Sequence, residues 1–132
     1  MDNCKKQRKN ILTIFGTRPE IIKLAPVIQQ IEKRPETFET FNVSSSQHTD
    51  LLYLLVQLFD IRIDRDLNVM TPNQTPSRVC SVVLATLDPF LAEARPDMIL
   101  VQGDTTTAMT GALAGFHRRI PVGHVERNPA VF

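Results

Sequence analysis

The apolar residues of this chain recur with two periods, one typical of buried strands and one typical of amphipathic helices. Compact apolar runs predict strands over residues 11–15 and 98–101, and alternation predicts another over 38–44. Weaker patterns predict a small edge strand over 61–67 and a last short strand over 120–126. Helical spacing of apolar residues predicts four intervening helices. These helical patterns run over residues 21–31, 51–58, 77–94 and 108–119.

Two prolines fall inside the helical patterns. Pro26 lies within the first, so we expect a kink near it. Pro89 interrupts the third, which predicts either one kinked helix or two short ones. The fourth helix is rich in small residues, which suits close packing on a sheet.

Strands that alternate with helices, with no hairpin signal, predict an α/β fold with a doubly wound parallel sheet. The carboxyl ends of parallel strands lie on one edge, where open α/β sheets bind ligands. If the first strand neighbours the strand over 98–101, the topological switch point lies between them. Arg18 and Asp104 then flank one crevice. The loops expected at this edge are 16–18, 47–48, 103–104 and 124–126.

Composition argues against several classes of function. The chain has 132 residues, 42% of them hydrophobic, and a formal net charge of +1, which indicates one domain and neither a nucleic-acid nor a membrane partner. No apolar run is long enough to span a membrane. Cys4 and Cys80 lack metal or disulfide spacing, so we expect a reducing, cytoplasmic location. We expect residues 1–10 to form a flexible basic arm before a domain over 11–126.

Residues 16–20, Gly-Thr-Arg-Pro-Glu, follow the first predicted strand and open a helix with the spacing of a capping box. Gly16 is expected to give this turn a positive φ angle. Free N–H groups and the helix dipole at such a start favour a phosphate, and Arg18 and Lys23 add positive charge. The segment lacks the glycine pattern of nicotinamide and P-loop sites. The alternative interpretation is a well-capped helix with a surface arginine.

Two carboxylates are expected at the same edge. Asp104 follows a buried strand and Glu126 follows the last one, and a convergent pair suits general acid/base chemistry. The alternatives are a helix cap for Asp104 and a solvated strand end for Glu126. Among the histidines, His48 in a polar loop is the better candidate for ligand contact, whereas His124 is expected to be packed. No His, Asp or Glu cluster has metal spacing, and no cofactor is expected.

Three motifs together resemble the non-hydrolysing UDP-N-acetylglucosamine 2-epimerases: GTRPE at 16–20, QGDTTT at 102–107 and PVGHVE at 121–126. The resemblance runs in register from residue 11 to residue 126. It implies the Rossmann-like amino-terminal half of a two-domain fold of glycosyltransferase-B type, with the active site between the domains. It also implies interconversion of UDP-GlcNAc and UDP-ManNAc by elimination and re-addition of UDP, without a cofactor or metal, in a homodimer.

The resemblance also implies roles for individual residues. Arg18 and Lys23 match positions that contact the nucleotide sugar, and Asp104 and Glu126 match catalytic carboxylates. His48, with Gln47 beside it, matches a loop linked in some bacterial members to a second, regulatory UDP-GlcNAc site.

The chain departs from the family pattern over residues 127–132. The family continues there with a different segment and a second domain, so we expect an amino-terminal half from a truncated or frameshifted gene, with little or no activity alone. Three alternatives stay open: a hydrolysing epimerase, a glycosyltransferase of the same architecture, and a non-catalytic remnant or docking subunit. The last predicts an exposed apolar edge over 122–132.

Overall fold

A computed structural model of the chain describes residues 7–45, 50–69 and 71–126. Strands and helices alternate along it, as the two periods of the sequence predict. No helix in these ranges is both long and apolar enough to cross a bilayer. The elements in chain order are β1 (Lys9–Phe15), α1 (Arg18–Glu32), β2 (Phe38–Ser44), α2 (Asp50–Leu58), β3 (Arg65–Asp66), α3 (Pro76–Ala94), β4 (Met98–Gln102), α4 (Thr106–His117) and β5 (Val122–Val125).

The five strands form one parallel sheet in the order β3-β2-β1-β4-β5. This confirms the doubly wound α/β prediction and makes β1 and β4 neighbours. The chain leaves β1 toward β2 on one side and later returns to add β4 on the other, so the topological switch point lies between β1 and β4. Their ladder runs from Ile11–Met98 to Thr13–Leu100 and stops two residues before Phe15 and Gln102 end the strands.

Alternate residues of the sheet face two separate apolar layers. Leu12 and Ile14 pack into a cluster with side chains of α3 and α4, whereas Ile11 and Phe15 pack into a second cluster with side chains of α1. Because a strand's side chains alternate between faces, the central strands are buried on both sides. The sheet is therefore the middle of three layers.

Small residues let α4 lie close against the sheet, as predicted. Ala108, Gly111, Ala114 and Gly115 are all buried, and the exposed side carries apolar side chains instead. The exposed apolar residues of α4 are Met109, Leu113 and Phe116.

The helix begins and ends two residues earlier than predicted. Thr105 caps its start, and Arg119 takes a left-handed φ of 57° just beyond its end. Both prolines lie inside continuous helices: α1 runs through Pro26, and α3 runs through Pro89, which excludes the alternative of two short helices.

The basic arm is shorter than predicted. The N–H of Lys9 donates to the Thr37 carbonyl oxygen over 2.9 Å, so β1 begins there. Arg8 also donates to the carbonyl oxygen of Pro35 and pairs with Glu39. Prediction of an arm over residues 1–10 was therefore wrong for these last positions, because backbone pairing with the start of β2 orders them. Residues 1–6 lie outside the described ranges.

The predicted edge strand is real but only two residues long. Before it begins, two side chains complete the edge of β2: Arg62 donates to the Thr40 carbonyl oxygen, and Asp64 accepts from the Asn42 N–H over 2.8 Å. The hydrogen bond to Asp64 raises the pKa of Arg62.

The opposite edge of the sheet is formed by β5. Val122 in this strand is half-buried, so an exposed apolar edge is not found at this end of the predicted span 122–132. Residues 127–132 are not described.

Candidate functional site

The candidate site lies at the carboxyl edge of the sheet, where β1 and β4 part. Helix α1 starts on one side of this gap and α4 on the other. The loop after β5 lies next to that of β4, because the β4–β5 ladder continues to Gln102–Val125. Three of the four predicted loops are thus at one edge. The fourth, with Gln47 and His48, is outside the described residues, so a ligand contact by His48 stays a prediction.

Arg18 and Lys23 both stand exposed on the first two turns of α1. Arg18 is the first helical residue, and Pro19 follows it, where its missing N–H costs little. Five residues correspond to about 140° around an α-helix, so the two cations lie on different stripes of its surface. Both provide positive charge at the β1 side of the gap, but they do not converge on one point.

Two N–H groups just before α1 are not free to bind a phosphate, which corrects part of the prediction. The N–H groups of Gly16 and Thr17 donate to Glu20 Oε2 over 2.9 and 2.6 Å, and the Thr17 hydroxyl donates to the same oxygen over 2.8 Å. The chain's own carboxylate therefore takes the place that an anion would occupy. A phosphate at this edge could not use these two N–H groups, and Arg18 is the cation that follows them in the chain.

Gly16 also differs from expectation. Within the described ranges Gly103 is the glycine with a positive φ, 77°, and Gly16 is not. Gly16 is needed for space: an added Cβ would lie 2.6 Å from Ser45 Oγ and 2.9 Å from Thr107 Oγ1. The turn after β1 therefore packs closely against the residue that follows β2 and against the first turn of α4.

Asp104 is exposed on the β4 side of the gap. It does not cap α4, because Thr105 does so: its Oγ1 accepts from the Ala108 N–H over 3.1 Å. The helix-cap alternative for Asp104 is thus excluded. The positive φ of Gly103 turns the chain immediately before the carboxylate. Asp104 lies two residues before the first residue of α4 and one before its cap, where a carboxylate is available to a ligand.

His124 is exposed rather than packed, contrary to prediction. Its side chain is 45% exposed; Nε2 lies 2.8 Å from the Gly103 carbonyl oxygen and Nδ1 lies 3.6 Å from Glu126 Oε2. Glu126 is itself 60% exposed. The imidazole therefore connects the loop that precedes Asp104 with the loop that carries Glu126, and the two candidate carboxylates follow neighbouring strand ends.

Several concave surfaces lie away from this edge. A cavity of about 170 Å³ lies at the amino edge of the sheet among Asn10, Phe41 and Pro96. Its lining is mostly apolar and carries no grouping of acid and base. The carboxyl edge is instead an open surface with cations on one side and carboxylates on the other. Among the described residues, no three His, Cys, Asp or Glu side chains group closely enough to hold a metal ion.

Sequence reasoning missed the polar contacts that join the loops. Thr105 Oγ1 donates to Glu20 Oε1 over 2.7 Å, and Ser45 Oγ lies 2.8 Å from Thr107 Oγ1. The capping-box spacing singled out Glu20, but only for its own helix. The run of three threonines after Asp104 was the available signal, since hydroxyls at a helix start serve both as caps and as donors.

Comparison with known proteins identifies the family. A family model described as UDP-N-acetylglucosamine 2-epimerase matches residues 29–127. The chain belongs to the UDP-N-acetylglucosamine 2-epimerase family. The enzyme of that name from Salmonella typhimurium is 47% identical over 116 residues, which are 88% of this chain and 31% of the relative. This epimerase-family chain thus spans about a third of the length of the curated relatives it matches.

Solved structures of the family superpose on this chain. The Neisseria meningitidis UDP-GlcNAc 2-epimerase bound to UDP-GlcNAc is 43% identical, with a TM-score of 0.82 over 87% of this chain and 31% of that one. The Methanocaldococcus jannaschii enzyme in complex with UDP-GlcNAc and UDP is 30% identical, with a TM-score of 0.80 over 87% and 32%. The fold of this epimerase-family chain is therefore that of a third of those enzymes.

Proposed function

We propose that this chain forms the amino-terminal half of a nucleotide-sugar site in which UDP-GlcNAc and UDP-ManNAc interconvert. The substrate is suggested by the family relatives whose structures hold UDP-GlcNAc. The observation that carries the proposal is the adjacency of β1 and β4. It sets the cations at the start of α1 and the carboxylate before α4 on two sides of one gap.

The chemistry of 2-epimerisation accounts for this set of groups. The C2 proton of the sugar is weakly acidic, so its removal needs departure of the C1 leaving group. A base takes the C2 proton, the C2–H electrons form the C1–C2 double bond, and the C1–O electrons leave with UDP. Re-addition of UDP at C1 and delivery of a proton to the opposite face of C2 complete the exchange. Such a sequence needs acid/base groups near C1 and C2 and cations near the diphosphate.

The described side chains supply members of both classes. Asp104 and Glu126 serve as acid/base groups, since both are exposed carboxylates after neighbouring strands. Arg18 and Lys23 stabilise the charge that develops on the departing diphosphate, since both are exposed cations at the start of α1. With the acid/base roles assigned to the carboxylates and the stabilisation of charge assigned to the cations, the reaction needs neither a metal nor a nicotinamide.

A hybrid enzyme tests the proposal. The 116-residue segment of the Salmonella relative that matches this chain is replaced by the corresponding residues of this chain. Conversion of UDP-GlcNAc is then followed by separation of the products. We expect UDP-ManNAc to form. A hybrid that folds by circular dichroism but forms no product contradicts the proposal, whereas free ManNAc with UDP indicates the hydrolysing reaction instead.

Variants of the hybrid test the assigned roles. Loss of acid/base catalysis typically costs about 10²- to 10⁴-fold in rate, and we expect Asp104→Asn and Glu126→Gln to fall in this range. Glu93→Gln, at an exposed position of α3, is the matched control and should keep the parent rate. Equal rates for Asp104→Asn and Glu93→Gln are incompatible with a catalytic role for Asp104.

A further inference from the structure

Glu20 is a fully buried carboxylate, with 0% of its surface exposed, and four donors surround it. Three come from its own loop: the N–H groups of Gly16 and Thr17 and the Thr17 hydroxyl. The fourth is the Thr105 hydroxyl, 85 positions away along the chain. A buried carboxylate is costly unless it is hydrogen-bonded, so these four contacts account for its presence in the interior.

The two oxygens of Glu20 are divided between two helix starts. Oε2 accepts from the loop before α1, and Oε1 accepts from Thr105, the cap of α4. Both helices direct the positive ends of their dipoles toward this region, which further stabilises the carboxylate. A residue that served only its own capping box would use one oxygen and would not contact the second helix.

Thr105 carries the connection to Asp104. Its hydroxyl donates to Glu20 and accepts from the Ala108 N–H, so it fixes the first turn of α4 while it is itself held. Asp104 is the residue immediately before it. A second contact, between Ser45 and Thr107, joins the end of β2 to the first turn of α4.

We propose that Glu20 is a positioning residue, which sets Asp104 at a fixed place relative to Arg18 through its bond to Thr105. This inference deepens the proposed function and rests on its assignment of Asp104 and Arg18. Glu20 itself is buried and does not reach a ligand. Its role is to hold the two sides of the β1–β4 gap together, where the strand ladder has already ended.

Amide hydrogen exchange on the full 132-residue chain tests the inference without any ligand. Four amides report on the two helix starts: those of Gly16 and Thr17, bonded to Glu20, and those of Ala108 and Met109, bonded to Thr105. In Glu20→Ala, we expect exchange at Ala108 and Met109 to rise by about tenfold, because the loss of one hydrogen bond is of that size. Faster exchange confined to residues 16–21 would show that Glu20 acts only on its own helix and would overturn the inference.

Two milder variants keep the test decisive if Glu20→Ala fails to fold. Thr105→Val removes the hydroxyl and should speed exchange at Gly16 and Thr17, whereas Thr105→Ser keeps the hydroxyl and should restore the parent rates. Thr75→Val is the matched control, since Thr75 caps α3 through its side chain and its removal should leave Gly16 and Thr17 unchanged. Equal exchange at Gly16 and Thr17 in the Thr105 and Thr75 valine variants contradicts the inference.

A titration with UDP-GlcNAc separates this inference from the proposed function. If the parent chain binds the nucleotide sugar, Thr105→Val should weaken binding and Thr105→Ser should not. If the parent chain does not bind, the proposed function loses support, and the exchange data still decide whether Glu20 joins the two loops.

Discussion

The imidazole Nε2 of His124 lies 2.8 Å from the carbonyl oxygen of Gly103. This contact joins the end of β5 to the turn just before Asp104. The other ring nitrogen lies 3.6 Å from Glu126, so one side chain contacts both loops that carry the candidate carboxylates. His124 thereby acts on the β5 side of the site as Glu20 acts on the β1 side.

Removal of the imidazole should loosen the turn before Asp104. We expect His124→Ala to lower the free energy of unfolding by about 0.5–1.5 kcal/mol, the usual net value of one hydrogen bond, since the Gly103 carbonyl loses its partner. His124→Gln retains a donor and should recover part of the loss. Urea denaturation of the three proteins measures this, and identical midpoints would show that the contact contributes nothing.

The turn at Gly16 should not tolerate a side chain. An added Cβ meets Ser45 Oγ at 2.6 Å and Thr107 Oγ1 at 2.9 Å, so we expect Gly16→Ala to cost about 1–3 kcal/mol of stability through overpacking. Ser45→Ala removes one of these oxygens, and the double variant should be less destabilised than the sum of the single ones. If thermal unfolding shows that the losses of stability in the two single variants simply add in the double variant, the close contact between Gly16 and Ser45 is contradicted.

Stability should depend on pH through a pair that joins α3 to α4. Arg118 donates two hydrogen bonds to Asp88, which lowers the pKa of the Asp88 carboxyl below its ordinary value of 3.8. A carboxyl whose pKa is lower in the folded state stabilises the fold above its unfolded value, and this contribution is lost as pH falls through the folded value. The pair is exposed, so the effect is small.

Melting temperatures of the parent and Asp88→Asn test this sign. The variant should be slightly less stable at about pH 7, and the two should converge as pH falls below about 4. In the Arg118→Gln background, Asp88→Asn should have no further effect. A difference that grows on acidification is the opposite of this expectation.

The helices and strands could be predicted from the sequence because the spacing of apolar residues within each segment determines its type. The alternation over 38–44 gave β2 with the observed bounds, and the helical spacing of apolar residues located α1 and α3. Spacing did not identify the cap of α4, because Asp104 and the threonines after it are all good cap residues and only the backbone path decides among them. The edge strand is only two residues long, because the side chains of Arg62 and Asp64 form hydrogen bonds with the backbone of β2 where a longer strand would pair.

The contacts between loops could not be predicted in the same way. Spacing identified Glu20 as the acid of a capping box, but nothing local indicates that its second oxygen contacts Thr105. That contact depends on β1 and β4 being neighbours, which follows only from the order of the strands. The same limit applies to the contact of His124 with the Gly103 carbonyl oxygen, which joins two different loops. The family motifs lie at the carboxyl ends of β1, β4 and β5, but they do not indicate which of their side chains are in contact.

The most direct test of the central claim, that the carboxyl edge is half of a nucleotide-sugar site, is an NMR titration of the 132-residue chain with UDP-GlcNAc. We expect shift changes confined to the loops after β1, β4 and β5. Arg18→Ala should weaken binding by about tenfold or more, since a hydrogen bond to a charged group is lost, and Arg34→Ala, beyond the far end of α1, should not. Shifts centred on the amino-edge cavity at Asn10 and Pro96, or equal affinities for the two variants, would contradict the account.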